Sequence, residues 1–458
     1  MHGIDEKKAI EELKEFLKFP SISSDSSKKK EVLNCANWLY RHLKKIGLEN
    51  VQLFPTALHP IVYAEQISHP SYKTILFYGH YDVQPVAPLL KWKFPPFKPV
   101  IANNYIYARG ASDDKGQLFT HVKAIELALK NKSSLKSNIK CLFEGEEEIG
   151  SPHLADFISR NQKLLRCDVA VLSDTKMLSA DVPAITYSLR GSLNAEIIVM
   201  GPGKELHSGT FGGMIFNPAD VLCQVVGKMH DPSGRIMIPG FYSDVVQLSE
   251  AERQFMKKSG PRDDSLLKDA SSRASWGEKA FSNYEKTTTR PVISITGLQS
   301  GFTGEGTKNA IPTSASVKIN MRLVKNQDPK KIAALFKSFA RQYIPANVIY
   351  RIKFSSFTEP VEVSRTHPFI LAAAQAYKTV FNHAPVFLRS GGSIPVVSMF
   401  TYKLKVPVIL MGFALAGDNM HAPNEKFYLP NLFRAIKTSF LFTKNIAAQY
   451  NDHEHAYY

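Results

Sequence analysis

Several short apolar segments in this chain run into loops rich in histidine and carboxylate side chains. This repetition limits the fold more than any other feature. Residues 73–79, 138–143, 168–172 and 406–412 read as buried strands. Helical spacings lie between and around them. Ala9, Ile10, Leu13, Phe16 and Leu17 mark residues 6–18, and Val32, Leu33, Ala36, Leu39 and Leu43 mark residues 30–46. Residues 115–130, 152–162 and 431–449 repeat the helical pattern. Apolar strands alternating with helices predict an α/β domain whose mixed, largely parallel sheet has helices on both faces.

The middle of the chain reads differently. Strand patterns at 192–200, 292–296, 314–323 and 347–354 are joined by helical patterns at 218–229 and 329–342. The order β-α-β-β-α-β predicts a ferredoxin-like α+β insertion. A polar stretch over about 231–290, with helical patterns at 250–257 and 265–274, elaborates it. The expected organisation is one α/β domain made of 1–187 and 393–458, interrupted by an inserted domain over 188–392.

Composition narrows the class. With 44% hydrophobic and 21% charged residues, the chain is globular rather than disordered or coiled-coil. No apolar stretch approaches the ~18–20 residues of a membrane span. The start lacks an apolar signal core, so a soluble, cytoplasmic protein with no membrane partner is expected. Lys and Arg number 57 against 41 Asp and Glu, a net charge of +16. The lysines are scattered, Lys28-Lys29-Lys30 being the densest run, and no nucleic-acid motif accompanies them. The excess reads as a solvated basic surface, without a nucleic-acid partner. Cys35, Cys141, Cys167 and Cys223 form no Cys-x-x-Cys pair and read as small buried residues in a reducing compartment.

The loops after the strands carry the chemistry. His80-Tyr81-Asp82 follows the first strand, and Asp113-Asp114 lies in a downstream loop. Glu144 through Glu148 follow the second strand, Asp174 the third, and His421 the last. Ligands of open α/β sheets bind outside the carboxyl ends of the strands, so these groups should meet at one edge. Imidazole mixed with carboxylate suits divalent ions such as zinc or manganese, and the lack of thiolate disfavours a closed structural zinc site. A bridging carboxylate between two cations would account for the surplus of acids. The run Glu146-Glu147-Glu148 leaves its own register open. Apart from His80, His207 and His421, the histidines read as structural or solvated, with adventitious metal uptake by His453 and His455 near the chain end.

At these residues the chain resembles the two-metal amidohydrolases that include carboxypeptidase G, aminoacylase, succinyl-diaminopimelate desuccinylase and carnosinase. The resemblance spans about residues 10–450. Gly79-His80-Tyr81-Asp82-Val83-Gln84-Pro85, Arg190-Gly191, Leu206-His207-Ser208-Gly209 and Gly391-Gly392-Ser393-Ile394-Pro395 are similar to the carnosinase-like dipeptidase branch.

The resemblance implies roles for individual residues. His80, Asp113 and Asp174 would hold one metal; Asp113, Glu148 and His421 would hold the other, with Asp113 bridging. Asp82 would orient His80, and Glu147 would be the general base, since the family's Glu-Glu-x-Gly fits Glu147-Glu148-Ile149-Gly150. The peptide between Asp113 and Asp114 would be cis. The inserted domain would serve as lid and dimerisation domain, and His207 of one subunit would act in trans on the tetrahedral oxyanion. Arg322 would bind the substrate carboxylate, and Asn309, Gly392 and Ser393 would contact substrate. The cofactors implied are two divalent ions, Zn2+ foremost, with Mn2+ or Co2+ as alternatives.

The expected function is metal-dependent hydrolysis of dipeptides or short peptides with a free C-terminal carboxylate. An N-acyl-amino-acid deacylase is the competing reading, and Tyr81 and Gln84 favour the dipeptidase. A non-catalytic metal-binding relative would be expected to lack Glu147 or a metal ligand, and here none is lost.

Overall fold

The computed structural model describes residues 3–131 and 135–454, the last eight of these by backbone alone. His455 and the side chain of His453, named above as adventitious metal binders, lie outside the description. The chain divides into two compact units, Met1–Tyr187 with Val363–Leu388 and Pro395–Tyr458, and Ser188–Glu362 with Arg389–Ile394.

The first unit is built on a mixed sheet. Across it the strands run Glu49–Phe54, Ile61–Gln66, Asn138–Glu144, Thr74–His80, Val169–Leu172, Val408–Met411 and Ala184–Leu189. The four from Asn138–Glu144 to Val408–Met411 are parallel, and the rims are antiparallel. The parallel strands are buried on both faces, as their near-continuous apolar sequences require.

Helices supply the covering layers. Glu6–Leu17 is capped by Asp5, whose carboxylate accepts the Lys8 N–H, and buries Ala9, Leu13, Phe16 and Leu17. Lys115–Lys130 is buried on almost every side. The hairpin Glu49–Phe54/Ile61–Gln66 escaped the sequence reading. Its first strand is only partly buried and shows no alternation, and its second is a six-residue run too short to separate from a helix segment.

The expected insertion boundary at 392 needs correcting. Val363–Leu388 belongs to the first unit, and Arg389–Ile394 to the second. The cause is the helix Pro368–Phe381, whose Phe369, Ile370, Ala373 and Tyr377 share a core with Leu432, Ile436 and Phe440 of the C-terminal helix Leu429–Glu454.

The second unit carries a four-stranded antiparallel sheet in the order Val292–Ser300, Ser314–Leu323, Gly191–Met200, Tyr350–Thr358. Its sequence order across the sheet is second, third, first, fourth, as in a ferredoxin-like sandwich. Leu193, Ala195, Ile197 and Val199 alternate toward a core shared with Val221, Leu222, Ile332 and Phe336 of the helices Pro218–Gly227 and Pro329–Tyr343. Both helices start with proline behind a side-chain cap, Asn217 and Asp328. Two expectations shift here. The helix predicted at 265–274 runs Asp263–Asp269, and the strand predicted at 347–354 runs Tyr350–Thr358.

All four cysteines are free. Cys35 and Cys141 are buried, but Cys167 is half-buried and Cys223 exposed, so burial was over-assigned to the last two. Among the described residues, no helix is long and apolar enough to cross a membrane.

Candidate metal centre

The parallel strands all end at one edge of the sheet, and in register. His80 closes Thr74–His80 opposite Glu144, which closes Asn138–Glu144. Two residues beyond Val169–Leu172 stands Asp174, and the loop after Val408–Met411 leads to His421. The fifth contributor is the loop before helix Lys115–Lys130. Glycine at 116 lets that loop close tightly, because a Cβ there would meet the Ala111 carbonyl oxygen at 1.9 Å. The Asp113–Asp114 peptide is cis.

Asp113 occupies the centre. Its Oδ1 is 3.1 Å from His80 Nε2 and its Oδ2 is 2.7 Å from His421 Nε2. Glu148 Oε2 lies 3.3 Å from the same His421 nitrogen. Two groups of possible ligand atoms result, His80 with Asp113 and Asp174, and Asp113 with Glu148 and His421. Within each group the atoms lie within 4.8 Å of one another, and Asp113 belongs to both.

Asp82 supports the cluster from below. Its Oδ1 is 3.4 Å from His80 Nδ1, and its carboxylate accepts the backbone N–H groups of Glu147 and Glu148. Glu147 places Oε2 4.0 Å from His80 Nε2. Glu146 turns away, bonding Thr56, the His59 N–H and His153. Of the three consecutive glutamates, only Glu147 and Glu148 therefore face the cluster.

The electrostatics follow from crowding. Burial raises the Asp174 carboxyl well above its usual range, and Asp113 and Glu147 push the same way. Burial also raises Glu147, to about 7; His80 opposes this, while Asp82, Glu148 and Asp113 add to it. Asp113 is pushed up by burial but pulled down further by His421 and His80, and ends below the carboxylate range. Hydrogen bonding to Asp113 and Glu148 lifts His421 to about 10. Such a concentration of acids wants a cation. His80 Nε2 and Glu148 Oε1 are moreover buried without a hydrogen-bond partner. The donor set, imidazole and carboxylate without thiolate, fits divalent ions of the zinc and manganese type.

His421 takes φ 62°, in the left-handed region, between Asn419 at 59° and Asn424 at 64°. Asn424 pins that loop by accepting the Lys93 N–H and donating to the Lys91 carbonyl. Gln84 donates to Glu148 Oε2 at 2.7 Å, whereas Tyr81 is buried and donates to the Pro60 carbonyl.

The remaining predicted residues belong to the second unit. Arg322 Nη1 donates to Ser393 Oγ at 3.0 Å, and Ser393 Oγ donates to the Arg190 carbonyl at 2.6 Å. Gly392 accepts the Arg190 N–H. Burial lowers the Arg190 guanidinium to about 10, and neighbouring Arg322 adds to the effect. His207 is exposed and lies on a short ribbon, Leu206–His207 against Ala310–Ile311, where the Asn309 carbonyl accepts the Ser208 N–H. Its Nδ1 accepts the Gly209 N–H at 3.1 Å, leaving Nε2 to carry the proton of the neutral ring.

Sequence reasoning missed a buried frame around the centre. Glu425, Asp418 and Gln117 hold the Asp113 and His421 loops together. Gln117 bonds the Ser112 carbonyl and the Phe413 and Ala414 N–H groups, and Asp418 accepts from Ser112 Oγ and the Leu415 N–H. The one available signal was a glutamate four residues after a candidate ligand in a polar loop, which by itself marks nothing.

Known proteins share the family and the fold of this chain. The model of peptidase family M20/M25/M40 matches residues 76–445, and the chain belongs to that family of metallopeptidases. The chain is 32% identical to the Cys-Gly metallodipeptidase DUG1 of Candida albicans, covering 94% of this chain and 93% of that one. It is 31% identical to human Beta-Ala-His dipeptidase, covering 82% and 76%. Among solved structures, the M20 family metallo-carboxypeptidase Sso-CP2 from Sulfolobus solfataricus superimposes with a TM-score of 0.87 at 34% identity, over 96% of this chain and 99% of that one.

Proposed function

We propose that this protein is a two-metal dipeptidase, hydrolysing the amide bond of dipeptides that carry a free C-terminal carboxylate. The observation that carries the reading is the double use of Asp113, one carboxylate oxygen beside each histidine. His80, Asp113 and Asp174 would hold one divalent ion, and Asp113, Glu148 and His421 the other, with zinc the best match to the ligands. Bound there, such ions supply a water of lowered pKa and polarise the substrate carbonyl.

The chain's own groups do the rest. Glu147, with a pKa near neutrality, takes the proton of the attacking water and passes it to the leaving nitrogen. Asp82 keeps the imidazole of His80 oriented. Arg322, steadied by Ser393, offers donors suited to a carboxylate, and Gly392 and Asn309 line the same role of substrate contact. His207, with its proton on Nε2, is suited to donate to the oxyanion of a neighbouring subunit in a homodimer. The inserted unit would then be both lid and dimerisation domain. Free thiols accord with a cytoplasmic setting.

The DUG1 and Beta-Ala-His relatives are dipeptidases, which supports this reading over an N-acyl deacylase. A carboxypeptidase acting on longer peptides is a second reading, favoured by the likeness to the Sulfolobus enzyme. A panel of dipeptides, tripeptides and N-acyl amino acids, assayed after chelation and after return of each metal, separates them. Dipeptide turnover restored by metal is expected; turnover only of N-acyl amino acids, or turnover indifferent to chelation, overturns the proposal.

A further inference from the structure

The Glu425 carboxylate has four donors, all from one short segment. Oε2 accepts from Arg109 Nη1 at 2.7 Å and from the Gly110 N–H at 2.9 Å. Oε1 accepts from the Ser112 N–H at 2.9 Å and the Asp113 N–H at 3.0 Å. The side chain is fully buried, and its backbone carbonyl accepts the Ala108 N–H. From Ala108 to Asp113, this one residue therefore fixes the loop that delivers the central aspartate.

Glu425 also ends the stretch that carries His421. It leads directly into the strand Lys426–Tyr428, which pairs with Tyr105–Tyr107. One carboxylate thus ties together the two loops whose side chains meet at Asp113 Oδ2 and His421 Nε2, 2.7 Å apart. A buried charge needs compensation. Here a guanidinium and three peptide N–H groups provide it, and the peptide groups gain a fixed direction in return.

We propose that Glu425 is a positioning residue for both metal sites, setting the angle of the Asp113 carboxylate so that each oxygen faces a different ion. The inference rests on the two-metal reading of the centre and goes beyond it. Loss of a residue confined to one group, such as His421 or Glu148, should weaken one ion. Loss of the Glu425 bonds should weaken both together, because Asp113 is common to the two groups.

Glu425→Gln keeps the shape of the side chain but turns an NH2 group toward two of the four donors. The test titrates Zn2+ into the full-length wild type, E425Q and R109K, following binding by calorimetry and thermal midpoint with and without metal. Groups that orient metal ligands typically contribute ~10–100-fold to affinity. E425Q is expected to lose affinity in that range at both sites, with kcat reduced and KM for a dipeptide little changed. R109K keeps the charge and the three peptide bonds, so its affinities should move far less.

If E425Q is too unstable to titrate, E425D substitutes: it retains the charge but, one methylene shorter, cannot reach all four donors. Equal loss in R109K and the Glu425 variants would assign the effect to the ion pair and overturn the proposal, as would wild-type affinities in E425Q. Loss confined to one ion would also overturn it. A wild type that binds no metal would instead refute the two-metal reading itself.

Discussion

Asp113 and His421, from opposite ends of the first unit's sequence, meet with Oδ2 and Nε2 2.7 Å apart, while Asp113 Oδ1 stands 3.1 Å from His80. On the two-metal reading, this single carboxylate, shared between two imidazoles, divides the centre into halves that should empty separately. His421→Ala is predicted to reduce the metal content from two ions per chain to one. His80→Ala should remove the other, and Asp113→Ala should remove both. Elemental analysis of the dialysed variants measures this; a His421→Ala protein still carrying two ions would place the second site elsewhere.

Glu147 holds its loop through its backbone, which bonds Asp82 and Gly150, while its half-buried side chain lies beside His80 with its pKa raised to about 7. Glu147→Ala should lower kcat by roughly 10²–10⁴-fold while both ions stay bound. Retained turnover would remove Glu147 from the role of base.

Within the second unit Arg322 donates to Ser393, which donates its own proton to the Arg190 carbonyl. If they receive the substrate carboxylate, Arg322→Ala should raise KM for free dipeptides by roughly 10- to 100-fold, the worth of hydrogen bonds to a charged group. The activity on the same dipeptides amidated at the C-terminus should start low and change little. A uniform loss on both substrates would argue for a structural role.

His121 is fully buried, its imidazole between Ser439 and Ser173, and burial holds its pKa down at about 3. Ser173 Oγ donates to the Met411 carbonyl, so His121 Nε2 donates to Ser173 and Nδ1 accepts from Ser439. The folded pKa lies below the unfolded value of ~6.5, so the unfolded chain gains a proton first as pH falls. Above ~6.5 the group has no effect on the pH dependence. Between ~6.5 and about 3 it should subtract ~1.4 kcal/mol of stability per pH unit. Denaturant midpoints from pH 7 to 4 should fall more steeply for wild type than for His121→Gln; identical slopes would contradict the assignment.

Much of this was legible because the parallel strands are mostly apolar and stop abruptly at His80, Glu144 and the residues before Asp174. An edge of ligands then follows from topology alone. The choice among Glu146, Glu147 and Glu148 was not legible from periodicity, since it depends on Asp82 accepting two successive N–H groups and on Thr56, His59 and His153 capturing Glu146. The return of Val363–Leu388 to the first unit was hidden because an Ala-rich helix shows no sign of its partner. Glu425 was hidden because three of its four donors are backbone N–H groups, which every sequence contains.

Anomalous diffraction from crystals of the zinc-loaded protein addresses the central claim most directly. Two peaks ~3.5–4 Å apart are predicted, one on each side of the Asp113 carboxylate, the first also against His80 and Asp174 and the second against Glu148 and His421. A lone peak, or density remote from Asp113, would contradict it.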